Sequence, residues 1–181
     1  MTHVLNGSLE VHSNAVLRSL TGLDALEAVE GDVRILFNRA LHSLGGLRAL
    51  SSVRGSIELR NNHALRSLAG LGGVHTLGGP VVIENNDQLE NLRGLPLQHV
   101  PADLRVEYND ALRDLTGLEH VHSIGGSLQV EGNLALRSLR GLDGLREVAH
   151  SVRVVLNPAL SSLDGLSALQ RIGGHLVVLR N

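Results

Sequence analysis

The sequence predicts a mainly β chain wound as a parallel β-helix-like solenoid of about 24 residues per coil, on three observations. Asparagine recurs at Asn14, Asn38, Asn62, Asn86, Asn109, Asn133, Asn157 and Asn181, in steps of 24 broken by a single 23. Glycine recurs with it at Gly22, Gly46, Gly70, Gly94, Gly117, Gly141 and Gly165. A leucine stands two residues before each of those glycines, from Leu20 to Leu163, and another directly after it. A fixed period of this length is the signature of stacked coils, each contacting only its neighbours. The reading is one solenoid domain over residues 1–181, with a partial first coil over 1–14 and seven coils over 15–181.

Each column has a physical reading. A short alternating stretch precedes every Asn: Leu9-Glu10-Val11, Val33-Arg34-Ile35, Ile57-Glu58-Leu59, Val81-Val82-Ile83, Leu104-Arg105-Val106, Leu128-Gln129-Val130, Val152-Arg153-Val154 and Leu176-Val177-Val178. Period two places the outer pair in the core and the middle residue outside. One strand per coil builds an eight-stranded parallel sheet roughly 35 Å long at about 4.8 Å per strand. The Asn closing each strand is expected to stack into a ladder, its amide pairing with backbone groups exposed as the chain turns. The glycine column calls for a close backbone approach or a left-handed φ. After each Asn the apolar spacing changes to three, which suits turns and short 3₁₀ segments. Repeat four is one residue short and holds Pro96 and Pro101, so the stack is expected to tighten there.

Composition narrows the function. Apolar residues make up 43% and charged residues 19%, enough for a core, while Phe37 and Tyr108 are the only aromatics. The core is therefore built of Leu, Val and Ile. A net charge of -2 and two aromatics supply neither an electrostatic field nor a stacking platform for nucleic acid, so no such partner is expected. There is no cysteine, hence no disulfide framework and no thiol chemistry. Residues 1–20 lack the progression of a secretory leader, and no apolar run approaches the roughly 18 residues of a membrane span. The expectation is no membrane partner and, by default, a cytoplasmic location. All 16 basic residues are arginine, which reads as the codon bias of a GC-rich bacterial genome.

The unit L-x-S-L-x-G-L-x-x-L-x-x-I-G-G-x-L-x-V-x-x-N, clearest at Leu112 to Asn133 with Asp114 in place of Ser, resembles the leucine-rich repeats of the receptor L-domain family over nearly the whole chain. The resemblance implies a right-handed solenoid serving ligand binding or recognition at a cell surface.

The exposed sheet columns hold the candidate site. The middle column runs Glu10, Arg34, Glu58, Val82, Arg105, Gln129, Arg153 and Val177, largely self-neutralising. The next runs His12, Leu36, Arg60, Glu84, Glu107, Glu131, Val155 and Leu179. Three consecutive glutamates at strand spacing repel by a few tenths to about 1 kcal/mol each. Glu84, Glu107 and Glu131 thus read either as a patch for a basic partner or weakly held cation, or as charges neutralised by Arg60, Arg105 and solvent. Tyr108, beside them, is an interface anchor or a cover for the turn, and Phe37 is read as packing. Arg18, Arg66, Arg113 and Arg137 share an outer column read as a solvated convex face. His75, His99, His120 and His122 cluster in adjoining coils at differing repeat positions, a poor arrangement for zinc or nickel. No catalytic motif is present, and no cofactor is expected. The expected function is a non-catalytic scaffold recognising an unidentified protein through its sheet face. The alternative is a structural unit that stacks through its ends, since Met1 falls at the eleventh repeat position and Asn181 closes the last strand without a cap.

Overall fold

The computed structural model describes residues 3–181, so the first two positions of the partial coil lie outside the described residues. The eight expected strands form one parallel sheet in chain order: Leu9–His12, Val33–Leu36, Ile57–Arg60, Val81–Glu84, Leu104–Glu107, Leu128–Glu131, Val152–Val155 and Leu176–Leu179. Register is strict, each residue pairing with its repeat equivalent, so Glu84, Glu107 and Glu131 lie side by side. In interior coils the two inward residues are buried and the outward ones partly exposed. Val82 and Val155 are exceptions: each stands at an outward position, Val82 in register between Glu58 and Arg105 and Val155 beside Glu131, yet is buried.

A second wall, not apparent from the spacing of the apolar residues, faces the main sheet. It consists of two four-stranded parallel sheets. One is formed by His3–Leu5, Leu26–Val29, Ser52–Val53 and Thr76–Leu77, the other by His99–Val100, Ser123–Ile124, Glu147–Val148 and Arg171–Ile172. The break between Leu77 and His99 falls in repeat four, where irregularity is expected. In intact steps the residue after the short strand donates to the coil before: Arg54 N–H to the Val29 carbonyl at 3.0 Å, Gly125 N–H to that of Val100 at 2.8 Å. The equivalent donor at the broken step is Pro101, which has no N–H. Leu95-Pro96-Leu97 also shortens by one residue the outer turn that is Leu71-Gly72-Gly73-Val74 in the preceding coil.

The turns between the walls stay short. Among the described residues only Gly45–Leu47 and Ala69–Leu71 form 3₁₀ helices, and there Gly46 and Gly70 avoid the left-handed region. Between the walls lies a continuous core of Leu, Val and Ile, most of it fully buried. Each such side chain contributes about 1.5–3 kcal/mol by leaving water. In the last coil Leu163, Leu176, Val178 and Leu179 remain exposed, as does Val16 near the other end.

Two polar ladders border the main sheet. At its C-terminal rim the six asparagines from Asn38 to Asn157 are fully buried, and each side-chain oxygen accepts the backbone N–H of the Asn one coil earlier. Each of these amide groups donates to a carbonyl in the preceding coil, as Asn62 Nδ2 does to Ile35 at 2.8 Å. The second ladder, at the N-terminal rim, uses Ser8, Asp32, Asp103, Ser127 and Ser151, whose side-chain oxygens accept the N–H of the next coil's equivalent. Asp32 sits below its usual carboxylate range, chiefly because the Ser56 N–H donates to it. The ladder stops at Pro80, which offers no N–H, and the Ser56 hydroxyl turns instead toward Asp32 at 2.9 Å and Glu58 at 3.3 Å.

Candidate functional site

The residue preceding each ladder Asn has left-handed backbone: Ser13, Phe37, Asn61, Asn85, Tyr108, Gly132, Leu156 and Arg180 all have φ between 53° and 70°. This lets the strand end and the Asn side chain turn inward, and it throws the preceding side chain out over the rim of the sheet. Gly and Asn suit such backbone; Phe, Tyr and Leu do so at a cost of about 1–2 kcal/mol each. Phe37, Tyr108 and Leu156 are nonetheless 58%, 42% and 39% exposed. Phe37 therefore stands out from the surface, at the edge of a recess of about 390 Å³ shared with Glu10, His12, Ser13, Arg34 and Leu36.

Tyr108 reaches one coil forward. Its hydroxyl donates to Glu131 at 3.1 Å, and its ring occupies the space where a β-carbon on Gly132 would stand. The bond to the Glu131 carboxylate is also the main reason the phenol is held above its ordinary pKa.

The glutamate column is unevenly compensated. Arg60 bridges Glu84 at 2.6 Å and Glu58 at 3.2 Å. Arg153 pairs with Glu131 at 3.1 Å, a cation the column reading overlooked because it lies on the diagonal in the next coil. Arg105, in the adjacent column, turns to Asp103 at 3.2 Å. Glu107, flanked in register by two carboxylates, is the member of the trio without an ion pair among the described residues. Partial burial, then the charges of Glu84 and Glu131, push its pKa up, while Arg105 and Arg60 pull it only part of the way back. The Glu-Arg-Glu run of the middle column does neutralise itself, Arg34 reaching Glu10 at 3.1 Å and Glu58 at 3.4 Å.

A raised carboxyl pKa means that ionising Glu107 opposes folding. The penalty is absent well below the ordinary value of 4.5, sets in as pH rises past it, and is complete above the folded-state pKa. Glu107→Gln is therefore expected to stabilise the chain near neutral pH by less than about 1 kcal/mol, since solvent screens a half-exposed site. The gain should vanish at acid pH. Urea midpoints of both proteins at two pH values measure it, and a variant less stable at neutral pH contradicts it.

The remaining candidates are dispersed. His75 bonds the Gly73 carbonyl, His99 the Ser123 hydroxyl and His122 the Gly144 carbonyl. Among the described residues no three His, Asp or Glu side chains are gathered as metal ligands would be. In the arginine column Arg66 bonds Gln88 at 2.9 Å, and Arg113 stands 3.9 Å from Glu90. The sheet rim thus joins Glu84, Glu107, Glu131, Tyr108 and Arg60, while Arg105, on the same face, makes its ion pair with Asp103. Sequence reasoning missed the left-handed column, although Asn61, Asn85 and Gly132 marked it, and missed Arg153 as the partner of Glu131.

No family model matches the chain, and no curated protein or solved structure matches it either.

Proposed function

We propose that the chain is a recognition scaffold whose main-sheet face binds a protein segment carrying at least one basic side chain, which lies against Glu107 with Tyr108 beside it. The observation that supports this most is Glu107 itself: a partly buried carboxylate, in register between two others, that makes no ion pair among the described residues while Arg105 bridges Asp103. A guanidinium or ammonium arriving there removes like-charge repulsion and forms a charge-assisted hydrogen bond. The second support is the exposed Tyr108, an amphipathic ring of the kind enriched in interface hot spots, on backbone that disfavours it. The repeat pattern quoted above supports the narrower reading that this solenoid is a leucine-rich repeat of the receptor L-domain kind.

The test is selection of a random displayed-peptide library on the purified chain. Enriched peptides are expected to carry Arg or Lys beside an apolar residue, and to bind more weakly as salt rises. Glu107→Gln and Tyr108→Asn should each weaken them by roughly tenfold to a hundredfold. Neither change should unfold the protein: the first relieves repulsion, and the second places on left-handed backbone the residue already found there at Asn61 and Asn85. Peptides without basic residues, or peptides indifferent to both variants, overturn the reading.

A further inference from the structure

Eleven asparagines precede a residue other than glycine or end the chain; one, Asn6, precedes Gly7. The pair occupies a bend between the strands His3–Leu5 and Leu9–His12, and both residues are exposed. Glycine puts no β-carbon beside its own amide nitrogen, so an Asn-Gly bond is open to attack by that nitrogen on the Asn side chain.

The surroundings of Gly7 differ from those of its repeat equivalents. At Gly31, Gly55, Gly126 and Gly174 the N–H donates to the preceding coil, at 2.8–3.0 Å, and at these four and at Gly79 a β-carbon would collide with that coil. Gly7 has open space within 4 Å of its β position, and its N–H has no acceptor among the described residues, although its carbonyl accepts from Gly31 at 3.0 Å. The ladder asparagines are in the opposite state. From Asn38 to Asn157 they are fully buried, with oxygen and amide group both held by hydrogen bonds.

We propose that Asn6-Gly7 is a covalent modification site at which the chain deamidates itself to aspartate and isoaspartate. Base, hydroxide at mildly alkaline pH, removes the Gly7 amide proton. The nitrogen forms a bond to Cγ of Asn6, the Cγ–Nδ2 bond breaks, and ammonia leaves after taking a proton from water. Water then adds to either carbonyl of the cyclic imide and opens one of its carbon–nitrogen bonds. Opening at the side-chain carbonyl gives aspartate; opening at the main-chain carbonyl gives isoaspartate, with an additional methylene in the backbone. That methylene falls between the first strands of the two walls. It displaces the Leu5 and Gly7 carbonyls, which accept from Glu30 at 2.9 Å and Gly31 at 3.0 Å. The new carboxylate also stands next in the repeat to Glu30, adding like charge there.

The folded chain is incubated at mildly alkaline pH and sampled for peptide mass mapping with isoaspartate detection. Amide-to-acid exchange is expected at Asn6 at least roughly tenfold faster than at any other Asn, and Gly7→Ala should slow it by about tenfold by setting a methyl group beside the attacking nitrogen. Gly7 has ordinary φ and open space around it, so this variant keeps the fold. Hydrogen exchange at the Glu30 and Gly31 amides is expected to quicken in aged wild type, with no change in aged Asn6→Gln. An intact Asn6, or equal rates with and without the Gly7→Ala change, overturns the site. Unchanged exchange at Glu30 and Gly31 in fully converted protein overturns its structural consequence.

Discussion

Replacing Asn109 by alanine is expected to destabilise the chain by about 3–5 kcal/mol, one of the two largest single effects the fold predicts. Asn109 is fully buried, and its side chain closes a network spanning three coils. Its Nδ2 donates to the carbonyls of Ile83 at 3.0 Å and Glu107 at 2.9 Å, and its oxygen accepts the Asn86 N–H at 3.1 Å. Alanine strands the buried Asn86 N–H, takes a donor from the Ile83 and Glu107 carbonyls, the second of which keeps the Asn85 N–H at 3.1 Å, and leaves a small cavity besides. Asn109→Asp fares no better: it keeps the acceptor, loses both donors and buries a charge. The control is Asn14→Ala. Asn14 is exposed at the top of the ladder and its oxygen receives no N–H from a preceding coil among the described residues, so its loss is expected to cost about 1 kcal/mol. Urea unfolding of the two variants measures the difference. Equal losses mean that the stacked amides add nothing beyond an ordinary turn bond.

The same contrast explains which parts of the architecture are legible in the sequence. The ladder and the main sheet repeat one residue type, or one alternation, at a fixed step, and a buried amide with three obligatory partners tolerates few substitutes. The second wall escapes because strands such as Ser52–Val53 and Glu147–Val148 are two residues long, too short for any alternation. Their pairing comes from the next coil, a full repeat away. The rim ladder of Ser8, Asp32, Asp103, Ser127 and Ser151 escapes because two residue types share one task, accepting an N–H, and Pro80 interrupts them. The left-handed column is the instructive case. Its backbone is uniform, yet its residues range from Gly132 to Phe37, because the outward side chain meets solvent and the fold constrains only φ. At the candidate site the glutamate column is plain in the sequence, whereas its pairing depends on diagonal reach. Arg153 serves Glu131 from the neighbouring column one coil on, and Arg105, adjacent to Glu107 in its own strand neighbourhood, is drawn to Asp103.

Glycine supplies the second large effect, and three positions separate its two causes. Gly22 has φ near 110° and no described residue within 4 Å of its β position, so alanine there suffers backbone strain alone, about 1–2 kcal/mol. Gly70 lies in a 3₁₀ helix without left-handed backbone, but a β-carbon would overlap the Leu44 carbonyl in the coil before, and the coils must part to admit it. Forcing extra volume into packed structure costs about 1–3 kcal/mol. Gly117 bears both burdens: φ is 117°, and its β-carbon would overlap the backbone of Leu92 and Arg93. Gly117→Ala is therefore expected to lose about 2–5 kcal/mol, the sum of the other two. The order Gly22 and Gly70 below Gly117, read from urea midpoints, tests whether the column is glycine for conformation, for closeness, or for both. If Gly22→Ala proves as damaging as Gly117→Ala, conformation alone explains the column. A Gly117→Ala loss no greater than that of Gly70→Ala leaves coil-to-coil contact as the sole reason that a side chain is excluded there.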